Sequence, residues 1–210
     1  MKVVLASASP ARLGVLRAAG LDPLVEVSDV DEDGVLTAVR DAPAARQVAA
    51  LACAKAATVG ERLAGSGGEH ADMVVLGCDS MLFVGGELVG KPGTVEAARR
   101  RWTGMAGRTG ELLTGHAVLR LSGGAVGEVA VGHAATTVRF GRPTEPELEA
   151  YLASGEPLAV AGGFTLDGLG GWFVEGIDGD PSNVIGISLP LVRRLLADVG
   201  VVVTELWKQD

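Results

Sequence analysis

Asp79, Lys55, Lys91 and Arg12 have the strongest claim to chemistry among the side chains of this sequence. Asp79 follows the apolar run MVVLG (73–77) and Cys78. Ligand crevices of open α/β sheets lie at the carboxyl ends of strands. A carboxylate there can bind a divalent cation or take a proton from water. The same local pattern also suits an aspartate that caps the next turn. Lysine usage is sparse: of 18 basic side chains only Lys2, Lys55, Lys91 and Lys208 are lysines, and two of them lie near the termini. The internal pair sits in apolar or Gly/Pro-bounded surroundings, LACAKAATV and LVGKPG. A compact ammonium is a point-charge ligand for phosphate. Equally, Lys55 reads as a side chain snorkelling from an amphipathic helix and Lys91 as a turn residue. The acidic run SDVDED (28–33) offers Asp29, Asp31, Glu32 and Asp33. It reads as a solvated loop, or as further oxygen ligands for a hard metal if the fold brings it to Asp79.

The elements that must position these residues are legible from pattern. KVVLA (2–6) and MVVLG (73–77) predict buried strands, and LVEVS (24–28) a further strand. Ser9 and Pro10 read as N-cap and first residue of a helix that ends at Gly20. Asp41 and Pro43 open a long helix whose apolar positions run through Val59, ended by Gly60 or by the GSGG at 65–68. LFVGGELVG (82–90) predicts a hairpin turning at Gly85-Gly86. Thr94 caps the next helix, with Glu96 in its first turn. Two long strands, 112–121 and 126–140, flank a Gly-rich turn. Thr144 and Glu147 have capping-box spacing for a helix ending near Gly155. A last helix follows Pro190 and stops at Gly200. Alternating strands and helices, then long paired strands, predict an α/β protein with a mixed sheet. The GSGGEH stretch (65–70) reads as a surface loop, so residues 1–210 read as a single domain.

Composition narrows the function. The net charge of −8 argues against non-specific nucleic-acid binding, which needs a basic face, but leaves room for a small anionic ligand held by local cations. With 48% hydrophobic and only 4% aromatic residues, the core is expected to consist of Val, Leu and Ala. No apolar run is long enough for a signal peptide or a membrane helix. Cys53 and Cys78 lack metal-like spacing and read as buried free thiols, so a cytoplasmic protein is expected. His70, His116 and His133 show no zinc spacing and no nucleophile elbow. GSGG and SGGA are turn-like and lack the Walker lysine, which argues against a P-loop NTPase.

ASASPAR (6–12), LACAKA (51–56), GCDSML (77–82), GKP (90–92), AGR (106–108), TG (114–115), AGGFTLDG (161–168) and EGIDGDPSNVIG (175–186) occur in one order. Together they resemble the Maf family of nucleoside triphosphate pyrophosphatases, from residue 3 to about residue 197. The resemblance implies an elongated mixed β-sheet with flanking helices and two lobes around a deep cleft. It implies cleavage of a nucleoside triphosphate between the α- and β-phosphates, with Mg²⁺ or Mn²⁺, by a homodimer. Carried onto this sequence, it makes Asp79 the proton acceptor for the attacking water and Glu32, with Asp79, the metal site. Ser7, Ser9, Arg12, Lys55 and Lys91 become substrate contacts. Asp167 stands where many members have the glutamine that lies near the base, and Ala11 stands where many have a second arginine. An acceptor-only Asp167 changes base readout, so no one base is assigned. The family is also associated with inhibition of septum formation. A nucleotide-binding regulator of cell division with little catalysis is therefore the alternative; the joint presence of Asp79, Glu32, Lys55 and Lys91 favours the enzyme.

Overall fold

The structure is a computed structural model and describes residues 1–64 and 72–208. GSGGEH (65–70), with His70, lies outside the described residues. Strands β1 (Lys2–Leu5), β2 (Leu24–Val25), β3 (Asp72–Val84), β4 (Glu87–Val89), β5 (Thr109–Ser122), β6 (Ala125–Phe140) and β7 (Val174–Asp178) form one mixed sheet. Its order is β2-β1-β3-β5-β6-β7, with β4 also paired to β3. The helices are α1 (Pro10–Ala18), α2 (Glu32–Ala38), α3 (Ala44–Leu63), α4 (Val95–Met105), α5 (Glu145–Ala153), α6 (Pro181–Ile185) and α7 (Leu189–Asp198). β1 runs parallel to β2 and β3, while β3–β4 and β6–β7 are antiparallel. The chain divides into two compact units, each of discontinuous segments. Unit 1 contains residues 1–79, 114–134 and 186–210; unit 2 contains 80–113 and 135–185.

Unit 1 is layered by the period-2 alternation of its strands. Val3, Leu5, Val74, Leu76 and Cys78 face one way, into a core shared with Leu16 of α1 and Leu191, Leu195 and Leu196 of α7. Val4, Met73 and Val75 face the other way, against Ala52, Ala56 and Val59 of α3. Helix α3 presents Val48, Leu51, Ala52, Lys55, Ala56 and Val59 as one buried stripe at helical spacing. It comes close because the strands beneath it carry glycines. A Cβ on Gly77 would overlap the Ala52 carbonyl oxygen, and one on Gly115 would overlap that of Val48. Gly77→Ala is therefore expected to push α3 off the sheet and cost about 1–3 kcal/mol, as overpacking does. Urea denaturation of wild type and variant measures it; an unchanged midpoint would count against this close packing.

Unit 2 departs from the expected Val/Leu/Ala core. Trp102 packs edge-on against Phe140, Tyr151 and Phe173, with ring centroids 5.8–5.9 Å apart, and Phe140 packs against Phe164 at 4.9 Å. The few aromatics of this chain are concentrated here, where edge-to-face geometry adds to burial. Trp102 Nε1 donates to the Gly163 carbonyl at 2.9 Å, which satisfies its one polar atom. The buried Asn183 donates to the Leu112 carbonyl at 3.1 Å and to Thr136 Oγ1 at 3.0 Å.

Most expected boundaries hold. Ser9 accepts from the Arg12 N–H with Pro10 at N1, and Gly20 follows α1 with φ +87°. The β3–β4 hairpin turns at Gly85 and Gly86, with φ of +63° and +88°. Two expectations are corrected, and a third is decided between its alternatives. LVEVS is a strand only over Leu24–Val25, because its partner β1 ends at Leu5. Of the two ends offered for α3, the later one holds: it runs through Gly60 to Leu63, since Leu119 closes over that glycine and packing outweighs its low propensity. SDVDED is not one loop. Asp29 turns the chain in the left-handed region at φ +50°, which aspartate tolerates, Asp31 accepts from the Gly34 N–H as N-cap, and Glu32 begins α2.

Candidate active site

The candidate site lies in unit 1 where β1 ends and β3 continues. β1 pairs with β3 only as far as Leu5↔Leu76, after which Ala6 N donates to the Leu76 carbonyl at 2.9 Å. Asp79 stands three residues further along β3. The expected strand end is thus not the end of β3, which runs to Val84, but the end of its neighbour β1. The crevice expected at a strand terminus is created by the shorter partner.

Asp79 shares the face of Gly77, and Lys55 lies on α3 between Ala52 and Ala56, the residues that close over that glycine. The close approach brings Lys55 Nζ to 2.6 Å from Asp79 Oδ1. The same ammonium lies 2.7 Å from Glu32 Oε1, on the first turn of α2. Lys55 does not snorkel: it is 8% exposed, as is Asp79, whereas the Glu32 side chain is half exposed. Three charges from three elements therefore meet at one point. Burial pushes the Asp79 carboxyl above the usual aspartate range; the Lys55 and Arg12 cations pull it back and the Glu32 carboxylate adds to the rise.

Arg12 is held by protein acceptors. Its Nε donates to the Gly186 carbonyl at 2.8 Å, and Nη1 donates to Ser7 Oγ at 3.0 Å and to the Cys78 carbonyl at 2.9 Å. It ties the start of α1 to β3 beside Asp79 and to the segment before α7. Ser7 Oγ also accepts from the Ser9 N–H at 3.2 Å, and Ser9 Oγ is the helix cap. The helix start offers fewer free donors than its sequence suggests: Pro10 has none, the Arg12 N–H bonds to Ser9 Oγ, and the Leu13 N–H bonds to the Ser9 carbonyl.

Lys91 and Asp167 belong to unit 2, both exposed and both in loops. Lys91 follows β4, between Gly90 and Pro92; Asp167 precedes the turn Leu169–Phe173. The structure brings Ser7, Ser9, Arg12, Glu32, Lys55 and Asp79 together in unit 1. The helix that carries Glu32 was hidden in the acidic run, although the Asp31–Gly34 spacing is a cap signal.

Two other groups are explained by structure. His116, buried in unit 1, accepts at Nε2 from the Ser188 N–H at 2.8 Å, so Nδ1 carries the proton toward the Thr114 carbonyl at 3.0 Å. Both cysteines are free; Cys78 is buried as expected, while Cys53 is half-buried. Burial pushes the Cys78 thiol up to about 11 against the pull of Arg12. A thiol reagent at pH 8 is expected to modify Cys53 and spare Cys78 until the protein is unfolded. Peptide mapping checks this, and fast labelling of Cys78 in the native protein would contradict its burial.

The sequence pattern of the family described as Maf-like protein matches residues 2–199. A protein of Saccharopolyspora erythraea named nucleoside triphosphate pyrophosphatase is 63% identical over 208 residues, covering 99% of this chain and 97% of its own length. One of Nocardia farcinica with the same name is 64% identical over 208 residues, covering 98% and 96%. One of Mycolicibacterium gilvum, also so named, is 58% identical over 207 residues, covering 98% of each. Among the described residues no helix is long and apolar enough to cross a membrane. With the family pattern and the relatives both running nearly end to end, this chain belongs to the Maf-like protein family.

Proposed function

We propose that this protein is a nucleoside triphosphate pyrophosphatase, which splits the α–β phosphoanhydride to give a nucleoside monophosphate and pyrophosphate. The observation that carries the reading is the Glu32–Lys55–Asp79 cluster, which sets a base, a cation and a second carboxylate at one point beside the start of α1. The names of the relatives agree with it.

The residues present fit a divalent cation. Glu32 Oε1 and Asp79 Oδ1 already converge on one ammonium, so they are close enough to share a cation, and both are hard oxygen donors. No group of three or more His, Cys, Asp or Glu side chains suited to a metal occurs among the described residues. A two-carboxylate site suits Mg²⁺ or Mn²⁺, which keep water and substrate oxygens in their remaining positions. When bound, the ion supplies Lewis-acid polarisation of the phosphoryl group. Asp79 orients the attacking water and takes its proton, and its raised affinity for protons brings it nearer the working pH of a general base. Lys55 supplies positive charge beside Asp79, and Arg12 holds Ser7 and the β3 backbone in place. A substrate-contacting role for Ser7, Ser9 and Arg12 is supported by the motif resemblance and by their position around Asp79. For Lys91 a role at the phosphates, and for Asp167 a role at the base, are supported by the motif resemblance alone.

Two free thiols suit a reducing compartment, so we place the enzyme in the cytoplasm. Resemblance to the family supports a homodimer, which light scattering at micromolar concentration tests. The decisive assay incubates the purified protein with a panel of canonical and modified nucleoside triphosphates and Mg²⁺ or Mn²⁺, scoring pyrophosphate against orthophosphate. Pyrophosphate with monophosphate is the expected product pair; orthophosphate alone rejects α–β cleavage.

A further inference from the structure

Two loops of unit 2 are fastened to one short segment, residues 156–163. The first carries Lys91: the Gly90 carbonyl accepts from the Gly162 N–H at 3.1 Å and from the Arg101 guanidinium, and the Gly93 N–H donates to the Leu158 carbonyl at 3.0 Å. The second, Thr165–Gly170, carries Asp167, and it is wrapped around one side chain. Glu156 Oε1 accepts from Thr165 Oγ1 at 2.6 Å and from the Gly170 N–H at 3.0 Å, while Oε2 accepts from the Leu169 N–H at 3.0 Å. Two of the loop's glycines follow from this close packing. A Cβ on Gly168 would lie 2.6 Å from Glu156 Oε2, and one on Gly170 would lie 2.5 Å from the Tyr151 hydroxyl. Burial raises the Glu156 carboxyl, but these hydrogen bonds outweigh it and hold the group below the ordinary glutamate range, so it is ionised at neutral pH.

Charge-assisted hydrogen bonds are stronger and more directional than neutral ones, and three of them here close a loop whose middle residue is the exposed Asp167. An ionised carboxylate accepts only, so at a base edge it favours a base that presents an N–H donor at that point. Such a preference needs a fixed position for the carboxylate.

We propose that Glu156 is a positioning residue for base discrimination: it fixes the Thr165–Gly170 loop and so the place of Asp167. The inference rests on the pyrophosphatase reading above and on the assignment of Asp167 to the base.

The test measures kcat and KM for ATP, GTP, CTP, UTP and dTTP with wild type, Glu156→Gln, Asp167→Ala, the double variant and Arg101→Gln. Glutamine keeps the shape of Glu156 but loses its charge and turns a donor toward one side of the loop. Glu156→Gln and Asp167→Ala are each expected to shrink the ratio of kcat/KM between best and worst nucleotide about tenfold, mainly through KM, roughly what one charge-assisted hydrogen bond carries. The double variant shrinks it no further. Arg101→Gln, which loosens the Lys91 loop, raises KM for all five nucleotides together. Thr165→Val removes one of the three donors to Glu156 and shifts the ratio in the same direction, so it serves if Glu156→Gln does not fold. An unchanged ratio in Glu156→Gln or Thr165→Val, or a uniform fall across all nucleotides, overturns the proposal. Wild type that turns over all five alike also overturns it while leaving the pyrophosphatase reading standing. Wild type that releases no pyrophosphate removes both.

Discussion

Asp79→Asn is expected to lower kcat by about 10²–10⁴-fold, the usual contribution of a positioned general base, while nucleotide binding is largely retained. Asparagine keeps the shape and one carbonyl oxygen within reach of Lys55. It cannot take a proton from water, and it removes one of the two carboxylates suited to a metal. Measurement of kcat beside direct nucleotide binding separates these effects. A drop in affinity without a drop in kcat would mean that Asp79 only binds; undiminished turnover would remove it from the mechanism.

Lys55→Met carries the second large effect, and it appears first in stability. The buried ammonium compensates Asp79, whose side chain is 12% exposed, and Glu32, whose side chain is 54% exposed. Removing one member of a buried ion pair costs about 3–5 kcal/mol where the remaining charge stays trapped. Here Glu32 is half in water and Asp79 can take up a proton, so about 2–3 kcal/mol is expected, or about 5–10 °C in Tm for a chain of this size. The pH dependence has a definite sign. Without Lys55 the two carboxylates face each other, and the proton affinity of Asp79, already raised by burial, rises further in the folded state. The folded variant then binds more protons than the unfolded chain, so its deficit is largest above the folded pKa of Asp79 and shrinks as pH falls toward the ordinary carboxylate range. Thermal melts at pH 8 and pH 5 read this out; a deficit that is the same at both would place the loss in packing of the lysine stem instead. Activity falls in the same variant because the charge beside Asp79 is gone.

Much of this fold was legible without coordinates, for local reasons. Ser9-Pro10, Thr94 and Thr144 with Glu147 are capping signals whose partners lie within four residues, and each caps the helix it announced. Gly85-Gly86 and Gly123-Gly124 mark turns that need positive φ at successive residues, and both hairpins turn there. Strand alternation and the apolar stripe of α3 follow from the 2.0 and 3.6 periods. Asp79 and Lys55 stood out because a charge in an apolar context must either be paired or reach water.

What the sequence alone could not determine is who the partners are, because pairing over 24 residues between Lys55 and Asp79 depends on how closely α3 approaches β3. Gly77 and Gly115 settle that distance, yet a glycine in a strand reads equally as a bulge, a bend or a weak point. The acidic run gave no sign that Glu32, and not Asp29 or Asp33, would face the lysine; the left-handed turn at Asp29 and the cap at Asp31 decide it. Arg12 is expected as a substrate contact, and its sequence context gives no sign that the fold gives its guanidinium three protein acceptors. Glu156 passed unnoticed because its role comes from a loop that folds around it, with donors 9 to 14 residues further on. Local hydrogen bonding and periodicity are written in adjacent residues, whereas the chemistry of this site depends on charges brought within 3 Å from separate helices and strands, and only tertiary packing decides that.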